Sequence, residues 1–196
     1  MGKNKEMLKC FIKVMTNNEK EIEKIVPDMY AKSFYEIDID YLKHNNINNL
    51  IIDIDGTILK VDDTYVPNEL KQRFNLLKEN KIKTCLLSNN NEERVKPVAK
   101  SLEANYLSNA KKPKEEAFAE ALKILNSKKE NTAMIGDQMM SDIKGASEYG
   151  IYSILVRPVD KHNNIKTGVS RILQNIMENH LKKIKKFDKN KYYRRR

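Results

Sequence analysis

The chain predicts an α/β fold: a central parallel sheet covered by helices on both faces. Three observations carry that expectation. Short, continuous apolar runs alternate with amphipathic stretches from residue 50 onward. Such alternation calls for parallel strands joined by right-handed crossovers. Polar fragments bearing carboxylates, a hydroxyl or an amine stand where strands end, and ligands of parallel sheets bind beyond those ends.

The elements follow in order. Residues 50–54 form a strand that ends in an aspartate pair. Residues 67–79 form a helix, with Pro67 near its first turn and Leu70, Phe74 and Leu77 on one face. Residues 82–87 form a second strand ending at Ser88. Residues 92–103 are helical, although Pro97 argues for an early break or a kink. Residues 104–107 form a short strand. Residues 114–126 form a helix with Ala117, Phe118, Ala121, Leu122 and Leu125 inward. Residues 132–135 form a strand ending in Gly136-Asp137. Residues 139–149 form a helix closed by Gly150, and residues 151–156 the last strand. Before all this, residues 1–26 read as a helix or a loosely ordered arm, ended by Pro27. Residues 28–49 read as short helical pieces anchored by Tyr30, Phe34 and Tyr35. The expected organisation is an extension over 1–27, one domain over 28–181 and a polybasic tail over 182–196.

Composition supports a single domain. At 196 residues and 40% hydrophobic content, the chain can bury a real core. Cys10 and Cys85 form no CxxC pair, which suits a reducing compartment, and Cys85 reads as a small buried hydrophobe. Neither has an arginine six residues on, so a Cys-x5-Arg nucleophile is excluded. His44, His162 and His180 are scattered and make no metal cluster. No run is long and apolar enough for a spanning helix, and the opening residues suit neither a signal peptide nor myristoylation. The net charge of +10 is uneven: residues 182–196 hold nine Lys/Arg and one acid, so the remainder is close to neutral. Polyanion contacts are therefore expected at the tail rather than the catalytic face.

Four fragments carry the chemistry. Asp53 and Asp55 are two apart on an extended strand end, so their side chains are expected to point the same way. Carboxylates that close repel unless a cation or shared proton lies between them, and Mg2+ suits such an oxygen site. The plainer reading is a turn, since Asp-Gly is a common turn pair. Ser88 and the amides after it suit phosphate oxygens, or are simply a polar turn. Lys112 is aimed by Pro113, which restricts it to extended backbone; it could equally be a solvated surface lysine. Asp137, with Asp142 five residues on, offers a third metal ligand and a carboxylate that orients it, or acids capping a helix. It is the coincidence of all four, in order, at successive strand ends that points to Mg2+-dependent phosphoryl transfer.

With those residues in view, the chain resembles the haloacid dehalogenase (HAD) phosphohydrolases, and more closely their YqeG-like subfamily. The segments that carry the resemblance begin with Ile51-Ile52-Asp53-Ile54-Asp55-Gly56-Thr57, Ser88-Asn89-Asn90-Asn91-Glu92 and Lys112-Pro113. Gly136-Asp137-Gln138, Ser141-Asp142-Ile143-Lys144-Gly145-Ala146 and Ile154-Leu155-Val156 complete them. Gly56 stands where this subfamily usually has Asn. The resemblance implies a Rossmann-like core with Asp53 as nucleophile and Asp55 as general acid and base. It implies that Asp53, Asp137 and the carbonyl of Asp55 hold Mg2+ and that Asp142 orients the metal shell. Ser88 and Lys112 would neutralise the transferring phosphoryl. Thr57 would support the nucleophile loop, and Asn89 and Gln138 are candidates for substrate contact.

Asp53 to Ser88 spans 35 residues and Ser88 to Lys112 spans 24, too few at either point for a cap domain. An uncapped site needs a substrate large enough to help exclude water. Ile172, Leu173, Ile176, Met177, Leu181 and Ile184 follow helical spacing next to the basic tail, which suits an anionic membrane surface; the plainer reading is a last helix packed on the sheet. The resemblance extends to a mitochondrial phosphatidylglycerophosphate phosphatase and implies that lipid as substrate. The expected location is cytoplasmic, with peripheral contact at a membrane. The alternatives are a phosphatase for a soluble metabolite or nucleotide, and an RNA- or ribosome-associated binding protein acting through its tail.

Overall fold

The computed structural model describes residues 2–63, 65–159, 165–188 and 193–194. The strands are β1 (Met29–Ala31), β2 (Asn49–Ile52), β3 (Lys83–Leu87), β4 (Asn105–Leu107), β5 (Thr132–Gly136), β6 (Tyr152–Val156) and β7 (Tyr193–Arg194). They form one sheet in the order β4-β3-β2-β5-β6-β1-β7. Pairings among the first six are parallel, and β7 joins the β1 edge antiparallel. The helices are α1 (Gly2–Met15), α2 (Glu19–Ile25), α3 (Ile39–His44), α4 (Asn68–Glu79), α5 (Glu92–Ser101), α6 (Glu115–Leu125), α7 (Lys144–Tyr149) and α8 (Ile165–Lys183).

Successive strand side chains feed opposite faces, as the pleat requires. Ile52, Ala133, Ile135, Ile154 and Val156 join Leu70, Phe74, Val95 and Val98 of α4 and α5 in one cluster. Ile51, Cys85, Leu87 and Met134 pack with Ala117, Phe118, Ala121 and Leu122 of α6 on the other face. Tyr30 and Leu155 extend that face to Cys10, Val14, Ile22 and Ile25 of α1 and α2 and to Met177 and Leu181 of α8. The expected two-faced α/β sheet is therefore present. Cys10, Val14, Ile22, Ile25 and Val26, expected to lie in an extension, pack directly against its core.

The connection leaves β2 toward β3 on one side, whereas β5 pairs with β2 on the other. Ligands of parallel sheets bind at such a reversal, outside the carboxyl ends of the strands, here β2 and β5. Ile52 lies opposite Ile135, and Asp53 N–H donates to the Ile135 carbonyl at 2.9 Å. Asp53 and Asp137 thus leave adjacent strands at one level.

Several expectations are corrected. Residues 28–49 are not wholly helical, because Met29–Ala31 is a buried strand between β6 and β7. Three residues are too few to display a period. Pro97 does not break α5, which continues to Ser101; the carbonyl that Pro97 leaves unpaired is that of exposed Glu93. The helix after β5 does not begin as an α-helix. Residues Met139–Ile143 form a π-turn that leads into α7, and Gly150 closes α7 at φ +82°. The apolar stripe at the C-terminus splits: Met177 and Leu181 are buried, whereas Ile172 and Ile176 are exposed. Of the basic tail, residues 189–192 and 195–196 lie outside the described residues.

Candidate active site

The strand β2 ends at Ile52, and the chain then closes a tight loop. Thr57, Ile58 and Leu59 N–H groups all donate to the Ile54 carbonyl, at 3.2, 3.0 and 3.1 Å. Gly56 sits at φ +93°, where a side chain is strained, and a Cβ there would lie 2.5 Å from Asp137 Oδ2 and 2.9 Å from Arg171 Nη2. Glycine is therefore required by the close approach of two loops as well as by the turn. At Gly136 a Cβ would collide with the Asp142 carboxylate.

These loops bring together the acids and the lysine. One oxygen from each of Asp53, Asp137 and Asp142 lies within 4.8 Å of the others, and all three residues are buried. Lys112 Nζ stands 2.5 Å from Asp53 Oδ1 and 2.8 Å from Asp142 Oδ1, itself 3% exposed. Thr57 Oγ1 is 3.0 Å from Asp53 Oδ2 and 3.3 Å from Asp137 Oδ1. The widened π-turn carries Asp142 back over the strand end, where its Oδ2 accepts from Gln138 N–H at 3.0 Å. Asn89 fixes Lys112 from behind: its Oδ1 accepts from Lys112 N–H at 2.6 Å and its Nδ2 donates to the Lys112 carbonyl at 3.2 Å. Ser88 is buried, its Oγ accepting from Asn90 N–H at 3.1 Å. The Gln138 side chain accepts from Ser141 Oγ at 3.3 Å.

Asp55 departs from the expected arrangement. Its carboxylate does not join the acidic cluster. Oδ1 accepts from Arg94 Nη2 at 2.8 Å and Nε at 3.1 Å, and Oδ2 accepts from Asn90 Nδ2 at 2.7 Å. The strand stops before Asp53, so the period-two argument fails there and the two carboxylates take separate partners. Asp55 as a side-chain metal ligand is not what this geometry presents.

Burial dominates the electrostatics. It pushes the Asp53 carboxyl up to about 6; Lys112 opposes that shift while Asp142 and Asp55 add to it. Burial likewise pushes Asp137 up to about 8, reinforced by Asp53 and Asp142 and resisted by Arg171 and Lys112. Burial disfavours charge on Lys112, but Asp142 and Asp53 outweigh it and hold the ammonium above its ordinary range. Three buried carboxylates thus face two cations.

The donor set fits a divalent cation. Asp137 Oδ2 is buried without an aligned hydrogen bond, although Arg171 Nη2 lies 3.1 Å away. A hard cation satisfies such an oxygen and offsets the burial and mutual repulsion that raise both acids. Asp53, Asp137 and Asp142 are the residues that could hold it.

Three contributors escaped the sequence reading. Arg94 sits in the first turn of α5, where Asn91 caps the helix by accepting from Arg94 N–H at 3.2 Å. Arg171 pairs with Asp137. Gln174 donates from Nε2 to the Asp137 carbonyl at 2.9 Å and accepts from Met139 N–H at 3.0 Å, and it also contacts Glu178. The signal was present: Arg171, Gln174 and Glu178 form a polar stripe at spacings of three and four within an otherwise amphipathic helix.

A family model described as a haloacid dehalogenase-like hydrolase matches residues 9–150. The chain belongs to that family, and it is a phosphatase of the haloacid dehalogenase type. It is 34% identical over 146 residues to the "Probable phosphatase YqeG" of Bacillus subtilis (strain 168), covering 74% of this chain and 85% of that protein. Among solved structures it is similar to the 3-deoxy-D-manno-octulosonate 8-phosphate phosphatase of Moraxella catarrhalis in complex with magnesium, phosphate and KDO. That match has a TM-score of 0.47 and 20% identity, over 74% of this chain and 92% of that one. The cobalt-bound deoxy-D-mannose-octulosonate 8-phosphate phosphatase of Haemophilus influenzae matches at 0.46 and 16%, over 71% and 90%. Matches at that level carry no argument about substrate.

Proposed function

We propose that this phosphatase hydrolyses phosphomonoesters through an aspartyl-phosphate at Asp53. The observation that carries the reading is the placement of Lys112 between Asp53 and Asp142, 2.5 and 2.8 Å away, with Asp137 in the same cluster. Asp53 Oδ attacks phosphorus as the ester P–O bond breaks. Asp55 gives a proton to the leaving oxygen and then takes one from the water that attacks phosphorus, releasing inorganic phosphate and restoring Asp53. Lys112 and Ser88 meet the charge of the transferring phosphoryl. Thr57 holds the nucleophile loop, and Asn89 holds Lys112. Gln138 lies at the mouth of the Asp142 turn as a substrate contact. Mg2+ held by Asp53, Asp137 and Asp142 would supply charge neutralisation for phosphoryl oxygens.

The finer reading is phosphatidylglycerophosphate as substrate. It is supported by the short connections, since only α4 with β3 and α5 with β4 separate the motifs among the described residues. It is also supported by Val169, Ile172 and Ile176, 64%, 56% and 40% exposed, on the helix whose Arg171 and Gln174 reach Asp137. A lipid surface could cover that ridge. The test is phosphate release from phosphatidylglycerophosphate in mixed micelles with Mg2+, beside a panel of soluble phosphomonoesters and Asp53→Asn. Lipid turnover abolished in Asp53→Asn supports the reading; turnover of soluble esters alone reassigns the substrate.

A further inference from the structure

Arg94 holds the carboxylate that the proposed chemistry needs at the leaving oxygen. For Asp55 to serve the leaving oxygen, one of its own oxygens has to be available. Both are engaged here, Oδ1 the more fully: it accepts from Arg94 Nη2 and Nε at 2.8 and 3.1 Å, while Oδ2 accepts from Asn90 Nδ2 at 2.7 Å. Arg94 is simultaneously tethered at the rim of the site. Its Nη2 donates to the Lys60 carbonyl at 3.0 Å and its Nη1 to the Asp63 carbonyl. When Asp55 leaves, the guanidinium stays near its place and needs another acceptor.

The other cations contacting site carboxylates are held by the acidic cluster itself. Lys112 is held by Asp53 and Asp142 with its side chain 2% exposed. Arg171 faces Asp137 at 14%. The Arg94 side chain is 19% exposed and Asp55's 12%, so this pair meets solvent. Exchanging one anion for another keeps this largely buried guanidinium partnered, whereas losing Asp55 with nothing in its place would leave the charge unpaired. A guanidinium fork is also well matched to two oxygens of a phosphate or phosphodiester.

We propose that Arg94 is a specificity determinant for phosphomonoesters whose leaving alcohol carries a second anionic group, a phosphodiester above all. That group takes the guanidinium from Asp55 and frees the carboxyl for its part at the leaving oxygen. Substrate recognition and release of Asp55 are then one event. Asn90 is a positioning residue that holds the other Asp55 oxygen and does not read the anion. The inference rests on the phosphatase reading above and assigns the residue by which that site would select its substrate.

The experiment compares glycerol 3-phosphate with deacylated phosphatidylglycerophosphate, which presents a glycerol phosphate ester bearing a phosphodiester. Intact phosphatidylglycerophosphate in micelles forms a third arm, separating recognition of the headgroup from recognition of a lipid surface. The wild-type enzyme is expected to favour the deacylated phosphodiester substrate over glycerol 3-phosphate in kcat/KM by about tenfold or more, as charged hydrogen bonds allow. Arg94→Gln should erase most of that ratio, Arg94→Lys should restore part of it, and Asn90→Ala should leave the ratio standing. Thermal melts of each variant exclude misfolding, and Arg94→Lys keeps the test decisive where Arg94→Gln does not fold. Equal losses on both soluble substrates in Arg94→Gln would overturn the inference, as would a wild-type preference that survives the substitution or is absent. A preference confined to the micellar arm would also overturn it, because the surface and not the phosphodiester would then be selected. Failure of the wild-type enzyme on every ester would instead remove the phosphatase reading beneath it.

Discussion

Asp137→Asn should make the metal-free protein more stable while destroying its response to Mg2+. Asp137 is fully buried beside Asp53 and Asp142, and its carboxyl is raised from 3.8 to about 8. Between those values the folded chain holds a proton that the unfolded chain has released. Raising the pH through that window therefore favours unfolding, and stability falls until Asp137 has ionised in the fold. An amide of the same shape removes this dependence and still accepts from Thr57 Oγ1, which stands 3.3 Å from Oδ1. Arg171 loses its partner, but at 14% side-chain exposure it can reach water. Relief of a buried carboxyl that Asp53 and Asp142 repel more than Arg171 and Lys112 offset is worth about 1–3 kcal/mol, or about 2–12 °C in Tm for a domain of this size. The assay is thermal denaturation by far-ultraviolet circular dichroism in chelator, near pH 6 and near pH 8. The gain should be larger near pH 8. Saturating Mg2+ should then raise the wild-type Tm and leave the variant unmoved. An unchanged or lower Tm for Asp137→Asn at the higher pH, or a variant still stabilised by Mg2+, would refute the reasoning.

Other substitutions probe the same arrangement from different sides. Lys112→Met leaves Asp53 and Asp142 facing each other unpaired, so it should cost about 3–5 kcal/mol and phosphatase activity with it; urea denaturation and phosphate release measure both. Gly56→Ala places a methyl group against Asp137 and Arg171 at φ +93°, and should lower Tm and Mg2+-dependent turnover together, with circular dichroism melts beside initial rates as the check. Gln174→Leu strips partners from the Met139 N–H and the Asp137 carbonyl and should cost about 1–3 kcal/mol; if urea denaturation shows no loss, α8 is not part of the site's support. Phe118→Ala empties a fully buried position between the sheet and α7 and should cost about 3–5 kcal/mol, while differential scanning calorimetry should still find one transition.

How much was legible beforehand differs residue by residue. The meeting of Asp53, Lys112, Asp137 and Asp142 was legible because Asp53 and Asp137 directly follow apolar strands and Lys112 and Asp142 lie within six residues of one, and a parallel sheet gathers such ends at one edge. The separation of Asp55 from Asp53 could not be read, since it depends on β2 stopping at Ile52 and on Arg94 arriving from α5. That pairing spans 39 positions, and no local pattern encodes it. The π-turn at Met139–Ile143 shares its hydrophobic spacing with an ordinary helix, so only the bonds from Ile143 and Lys144 N–H to the carbonyls five residues back, Gln138 and Met139, reveal it. Arg171, Gln174 and Glu178 were visible as spacing, but the apolar residues around them drew the reading toward a membrane-facing stripe. The fold serves both readings in part, turning Met177 and Leu181 inward as a packed last helix requires and leaving Ile172 and Ile176 outside.

The most direct test of the central claim is to look for phosphate on Asp53. Enzyme turning over a phosphomonoester with Mg2+ is quenched in acid, digested, and its peptides weighed. A single phosphoryl group on the peptide containing Asp53, lost in Asp53→Asn together with activity, is the predicted result. Phosphate on another residue, or turnover that persists in Asp53→Asn, would contradict the account.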